Sequence, residues 1–243
     1  MVFKQKTIFE KPSLLRSGKQ IRENQDETGN SGCALRLRGH NFSPMSNRYP
    51  TYLFFGAPGS GKGTQGVTLG TLPGFFHCAC GDVFRRLDTR TELGQKFLEY
   101  SSKGELVPDE ITIQLWMESI QGAEANGRFK PDVDYLLLDG IPRNIAQARL
   151  MEDIIEVRHV FHLSCPDREK IVARLKKRAL KDNRLDDANE EVIRRRLLAY
   201  EQESKPLLEY YGAGLITDID ATQYPVKVMK DILDRVVEDR KET

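Results

Sequence analysis

The sequence predicts an α/β fold: a parallel sheet of five strands flanked by helices, with a small helical insertion. Three observations lead there. From Thr51 onward, short apolar runs alternate with longer stretches of helical period. The runs are four to six residues long with longer helical stretches between them, the signature of βαβ units and a parallel sheet. A glycine-rich turn joins the first run to the first helical stretch, which is the start of a βαβ unit.

Taken in order, residues 1–48 are rich in Lys, Arg, Asn, Gly and Ser, without sustained apolar period. They are expected to be a disordered extension, or to precede a true start at Met45. No apolar stretch there resembles a signal peptide, and Glu10, Glu23, Asp26 and Glu27 count against a transit peptide. The folded domain is placed at 49–243. Strands are expected near 52–55, 75–78, 135–138, 158–163 and 214–219, with helices near 62–71, 109–124, 144–156, 167–179, 188–211 and 225–239. Pro108-Asp109 reads as a helix start, with the Asp109 side chain available to cap free N–H groups. One insertion is set at about 79–108, and a second, polar one at about 179–187.

Composition narrows the function classes. The chain has 243 residues, 39% of them hydrophobic, enough for one main core. Lys plus Arg number 37 against 36 Asp plus Glu, so no overall basic face points to nucleic acid or an anionic membrane. Apolar runs such as Tyr135–Leu138 fall far short of the roughly 20 residues of a membrane helix. A soluble, cytoplasmic, monomeric protein is expected, with no nucleic-acid or membrane partner. Four cysteines are too irregularly spaced for a disulfide framework. Cys78-Ala79-Cys80 lacks a second Cys/His pair at zinc spacing and reads as two thiols at a buried strand end.

The chemistry begins at Gly56-Ala57-Pro58-Gly59-Ser60-Gly61-Lys62-Gly63-Thr64-Gln65, a GxxxxGK loop between a predicted strand and a predicted helix. The glycines let successive N–H groups turn towards one anion, and the helix adds its positive end. Lys62 supplies a mobile charge for the β and γ phosphates of a nucleotide. After Lys62 comes Gly63, where the general motif places a magnesium-binding hydroxyl; Thr64 lies one place on. Carboxylates acting through water are then the better metal holders, and Asp82 and Asp139 are available.

The GxPGxGKGTQ form of this loop resembles that of adenylate kinases and related nucleoside-monophosphate kinases, and four later segments agree in the same order. Cys80-Gly81-Asp82-Val83-Phe84-Arg85 is similar to the family's TGDxLR, and Gly104-Glu105-Leu106-Val107-Pro108-Asp109 to its GxLVPD. Asp139-Gly140-Ile141-Pro142-Arg143 resembles its DGFPR. Arg174 to Arg178, Arg184 to Asp187 and Glu190 to Arg196 resemble the lid and the arginine-bearing helix after it. The likeness covers roughly residues 51–240.

That resemblance implies a P-loop core, a monophosphate-binding insertion, a short lid without the zinc site of long-lid members, and transfer of the γ-phosphoryl group of Mg-ATP to AMP, giving ADP. It implies an ATP site of Gly59, Ser60, Gly61, Lys62, Gly63, Thr64, Arg174, Arg178 and Gln223, with Arg174 over the adenine. It implies an AMP site of Cys80, Arg85, Glu105, Leu106, Val107, Gly140, Ile141, Pro142, Arg143, Gln147, Arg184 and Arg196. Arg85 and Arg143 would hold the AMP phosphate, and Arg178, Arg184 and Arg196 the phosphoryl group in flight. Gln147 resembles the adenine-reading glutamine, since a carboxamide matches the N6/N1 edge with one donor and one acceptor. Asn144 after the arginine resembles UMP/CMP kinases instead, and Cys80 stands where adenylate kinases usually carry threonine. A UMP/CMP kinase and a nucleotide-binding protein without transfer activity are the alternatives.

Overall fold

The structure is a computed structural model that describes residues 48–87, 90–103, 107–182 and 189–240. Five parallel strands run in the order β2-β3-β1-β4-β5: β1 Tyr49–Phe55, β2 Phe75–Ala79, β3 Tyr135–Asp139, β4 Ile155–Ser164 and β5 Ile216–Asp220. Each sits between helices, as parallel crossovers require. Helix α1 spans Lys62–Leu69, α2 Cys80–Arg85, α3 Glu92–Lys103, α4 Asp109–Ala125 and α5 Ile145–Met151. After β4 come α6 Arg168–Asp182, α7 Glu190–Ala199, α8 Leu207–Tyr211 and, after β5, α9 Pro225–Asp239.

The period of two along the strands divides the core. Leu53, Phe55, Leu136 and Leu138 face one side, where Trp116 and Ile120 of α4 and Met151 of α5 cover them. Tyr52, Phe54 and Leu137 face the other, against Leu69 of α1 and Val228, Ile232 and Val236 of α9. Burial on both faces is why these strands are continuously apolar. A third cluster packs Ile171, Val172 and Leu175 of α6 against Ile193 and Leu197 of α7. At the sheet's far end the Tyr52 hydroxyl donates to Asp239 Oδ2 at 2.5 Å, tying α9 to β1.

Local pattern misplaced three boundaries. Strand β4 begins at Ile155 and the preceding helix ends at Met151, because Ile155–Val157 pair with Tyr49–Thr51 of β1. Strand β1 likewise starts at Tyr49 and carries Pro50, with a register shift between Thr51 and Tyr52. The long helix expected over 188–211 breaks into α7, a π-helical turn Tyr200–Ser204 and α8; Lys205 N–H bonds back to Tyr200 O at 2.9 Å and Pro206 has no N–H to continue the ladder. The insertion expected at about 79–108 contains α2 and α3 among its described residues, while 104–106 and most of the segment at 179–187 lie outside them, as do residues 1–47.

Candidate active site

Strand β1 ends in the glycine-rich loop. Gly56 takes φ +141°, and a Cβ there would lie 2.5 Å from Leu163 O, so only glycine lets the loop pass over β4. Gly61 has φ +105° and delivers the chain into α1. The Lys62 ammonium donates to Gly56 O at 2.7 Å and Ala57 O at 3.1 Å, folding back along its own loop. Burial pushes it down to about 8; Asp139 opposes that shift, and Arg196, Arg178 and Arg143 add to it.

Around this loop a cleft of about 800 Å³ opens at the C-terminal ends of the strands, where α/β sheets place their ligands. It is lined by Gly59, Ser60, Gly61, Lys62, Gly63, Thr64, Arg174, Arg178 and Gln223 from the expected ATP set. From the expected AMP set it takes Arg85, Val107, Gly140, Pro142, Arg143 and Arg196, and Asp82 and Asp139 complete the wall. Cys80, Ile141 and Gln147 are fully buried just outside this lining. Glu105, Leu106 and Arg184 lie outside the described residues.

The elements explain the convergence. Asp139 closes β3 beside β1, and Gly140 at φ +80° turns the chain so that Arg143 Nε donates to Gly140 O at 2.8 Å. Asp82 and Arg85 share the short helix α2 and form an ion pair with each other. Arg174 and Arg178 lie one turn apart on α6, and Arg196 sits on α7. One turn beyond Arg196, the Tyr200 hydroxyl is 3.1 Å from His162 Nε2, whose Nδ1 is 3.1 Å from Asp218. This chain anchors the arginine-bearing helix to β4 and β5.

The magnesium reading has a geometric counterpart. A Cβ on Gly63 would lie 3.4 Å from Asp139 Oδ2, so the bare glycine leaves the carboxylate room beside the loop. One or two carboxylates together with nucleotide phosphates are what magnesium commonly uses, and Asp82 and Asp139 fit that donor set. Burial pushes the Cys78 thiol up to about 12 and the Cys80 thiol up to about 11. Among the described residues no group of three or more His, Cys, Asp or Glu is arranged to hold an ion.

Three residues outside the sequence-derived set bear on the site. His77 of β2 lines the cleft against α1, with its imidazole lowered by burial while Asp139 and Asp82 oppose the shift. Tyr200 lines it from the π-helical turn. Asp109 makes no capping bond: Pro108 is the N-cap of α4, and the Asp109 carboxylate accepts from Asn144 Nδ2 at 3.0 and 3.1 Å and from Gln147 Nε2 at 2.7 Å. Asn144 is itself the N-cap of α5, its Oδ1 accepting from Gln147 N–H. The helix-start pattern around Pro108 hid the first role, since only the tertiary partner distinguishes a cap from a bridge.

No helix among the described residues is long and apolar enough to cross a membrane. The family model described as adenylate kinase matches residues 54–215, from the phosphate-loop strand to the turn before β5. The adenylate kinase of Thermobifida fusca is 39% identical over 173 residues, covering 68% of this chain and 87% of that protein. Adenylate kinase 1 of Synechocystis sp. is 38% identical over 192 residues, covering 76% of this chain and 95% of its own. The adenylate kinase of Archaeoglobus fulgidus is 32% identical over 213 residues, or 74% and 94% of the two chains. Since the model match takes in the loop, the cleft and the arginine helix, and the relatives align over most of their own length, this chain belongs to the adenylate kinase family.

Proposed function

We propose that the protein transfers the γ-phosphoryl group of magnesium-bound ATP to AMP, reversibly, giving two ADP. The observation that carries this is the meeting of Lys62 from the loop, Arg143 from the β3 turn, Arg178 from α6 and Arg196 from α7 in one cleft. Phosphoryl transfer asks little covalent chemistry of a protein and much charge neutralisation and alignment. Lys62 and the loop N–H groups hold the donor's β and γ phosphates. Arg85 and Arg143 take the acceptor phosphate through their planar forks, once Arg85 releases Asp82. Arg178 and Arg196 face the phosphoryl group between them, joined by Arg184 from the lid. Magnesium would neutralise phosphate charge, held through water by Asp82 and Asp139. Arg174 and Gln223 lie on the donor's adenine side.

Gln147 reads the acceptor base. The pyrimidine alternative has Asn144 and Cys80 on its side; the Asn144 side chain is engaged as the α5 cap and as a donor to Asp109, and Cys80 is a buried thiol. The purified protein given Mg-ATP and each monophosphate in turn makes ADP fastest with AMP; a clear preference for UMP or CMP overturns the reading.

A further inference from the structure

Gln147 is 0% exposed, and its carboxamide is gripped at both ends. Its Oε1 accepts from the Arg143 backbone N–H at 2.8 Å, and its Nε2 donates to Asp109 Oδ1 at 2.7 Å. A backbone N–H can only donate, and an ionised carboxylate can only accept. A flipped amide would set donor against donor at Arg143 and acceptor against acceptor at Asp109, so one polarity alone is tolerated. Asn144 holds the carboxylate in place from the other side, with Nδ2 bonded to both of its oxygens.

A carboxamide has two N–H groups and an oxygen with two lone pairs. The two bonds use one of each, leaving one hydrogen and one lone pair of a buried group without a protein partner among the described residues. Those remaining valences are the ones a base edge could use. We propose that Asp109 is a positioning residue that locks the polarity of the Gln147 carboxamide and so makes the acceptor site selective for amino bases over keto bases. This rests on the reading of Gln147 as the base-contacting residue. The remaining acceptor meets an exocyclic amino group and the remaining donor meets the unprotonated ring nitrogen beside it. Adenine offers that pair at N6 and N1, and cytosine offers it at N4 and N3. Hypoxanthine, guanine and uracil present the reverse order, an oxo group beside a ring N–H, which the locked amide cannot satisfy.

The test compares AMP with IMP, which differ only at this edge, in the wild type, Asp109→Asn and Gln147→Ala. An asparagine at 109 offers both a donor and an acceptor and releases one of the two constraints. The AMP-to-IMP ratio of kcat/KM is expected to fall about tenfold or more in Asp109→Asn, with the loss for AMP falling more on KM than on kcat. A ratio unchanged in Asp109→Asn but collapsed in Gln147→Ala overturns the role of Asp109 and leaves Gln147 as the reader. A ratio unchanged in Gln147→Ala removes the Gln147 reading, and Asp109's role with it. Should Asp109→Asn fail to fold by circular dichroism, the wild type still decides: CMP accepted about tenfold better than UMP supports the lock, and UMP equal to or better than CMP overturns it.

Discussion

The depressed lysine of the phosphate loop makes the pH dependence of ATP capture a direct probe of the cleft's electrostatics. Burial, reinforced by Arg196, Arg178 and Arg143, moves Lys62 from the ordinary lysine value near 10.5 to about 8. That displacement is worth about 3 kcal/mol before solvent at the cleft mouth reduces it. Raising the pH from 7 to 9 then lowers the protonated fraction of the free protein about tenfold, so kcat/KM for ATP falls about tenfold over that range. A bound triphosphate brings several negative charges beside the ammonium and lifts its pKa again. The limb in kcat therefore lies well above 8, and kcat/KM for AMP at saturating ATP stays flat where that for ATP declines. Lys62→Arg, charged at every accessible pH, loses the limb even if its rates are low. Initial rates of ADP formation between pH 6.5 and 9.5, with either nucleotide varied, provide the assay. A kcat/KM for ATP that is level up to pH 9.5, or a limb that persists in Lys62→Arg, refutes the reasoning. Stability moves in a linked direction: because the folded value lies below the unfolded one, the unfolded chain holds the extra proton between about 8 and 10.5, and the unliganded fold gains stability with pH across that window.

Four further outcomes are expected. Asp139→Asn raises the magnesium concentration for half-maximal activity about tenfold, read from a titration at fixed ATP; an unchanged midpoint removes Asp139 from metal holding. Arg196→Ala lowers kcat about a thousandfold while leaving the thermal midpoint nearly in place, because the guanidinium faces the cleft rather than the core; a change under tenfold would show that another group neutralises the phosphoryl charge. Tyr52→Phe removes the donor to Asp239 and costs about 1–3 kcal/mol in urea unfolding, with kcat retained, since the bond lies at the opposite end of the sheet from the loop. Burial and then Arg235 push His159 down to about 4 against an ordinary value of 6.5, so the unfolded chain binds the extra proton between those values and stability falls as pH drops through them; His159→Gln flattens that acid limb.

What the sequence made legible follows from how local each signal is. The phosphate loop announces itself because its glycines, lysine and flanking strand lie within a dozen or so residues. Strand β3 is readable because burial on both faces makes Tyr135–Leu138 apolar without interruption, while β2, a half-buried edge strand that carries His77, is marked by Phe75, Phe76 and Cys78. The start of β4 is not, since Ile155–Val157 become strand only through β1, a partner about a hundred residues away in the chain. The same applies to the site. Arg143 and Lys62 follow from strand ends, whereas Asp109 bridging to Asn144 and Gln147 spans separations of 35 and 38 residues and carries no local mark. His77 is equally hidden: its place against α1 depends on Gly66, where a Cβ would lie 2.4 Å from the imidazole.

The cleft's charge balance gives the architecture its logic. Among the described residues, Lys62, Arg85, Arg143, Arg174, Arg178 and Arg196 line it against only Asp82 and Asp139 as acids. Flexible side chains of like charge would drift apart; at Lys62 burial is the main cause of the lowered pKa, and Arg196, Arg178 and Arg143 add to it. They stay together because they are fixed to several rigid elements whose positions are set elsewhere: Arg143 by its bond to Gly140 O, Arg196 by the Tyr200–His162–Asp218 chain below it, Lys62 by its own loop carbonyls. Stability is thereby exchanged for preorganisation, since positive groups aligned in advance need not reorganise when a polyphosphate arrives. The cost is greatest with the cleft unliganded and is relieved by two anionic nucleotides together, which is a physical reason for a two-nucleotide transferase to be built from one loop lysine and arginines drawn from four separate elements.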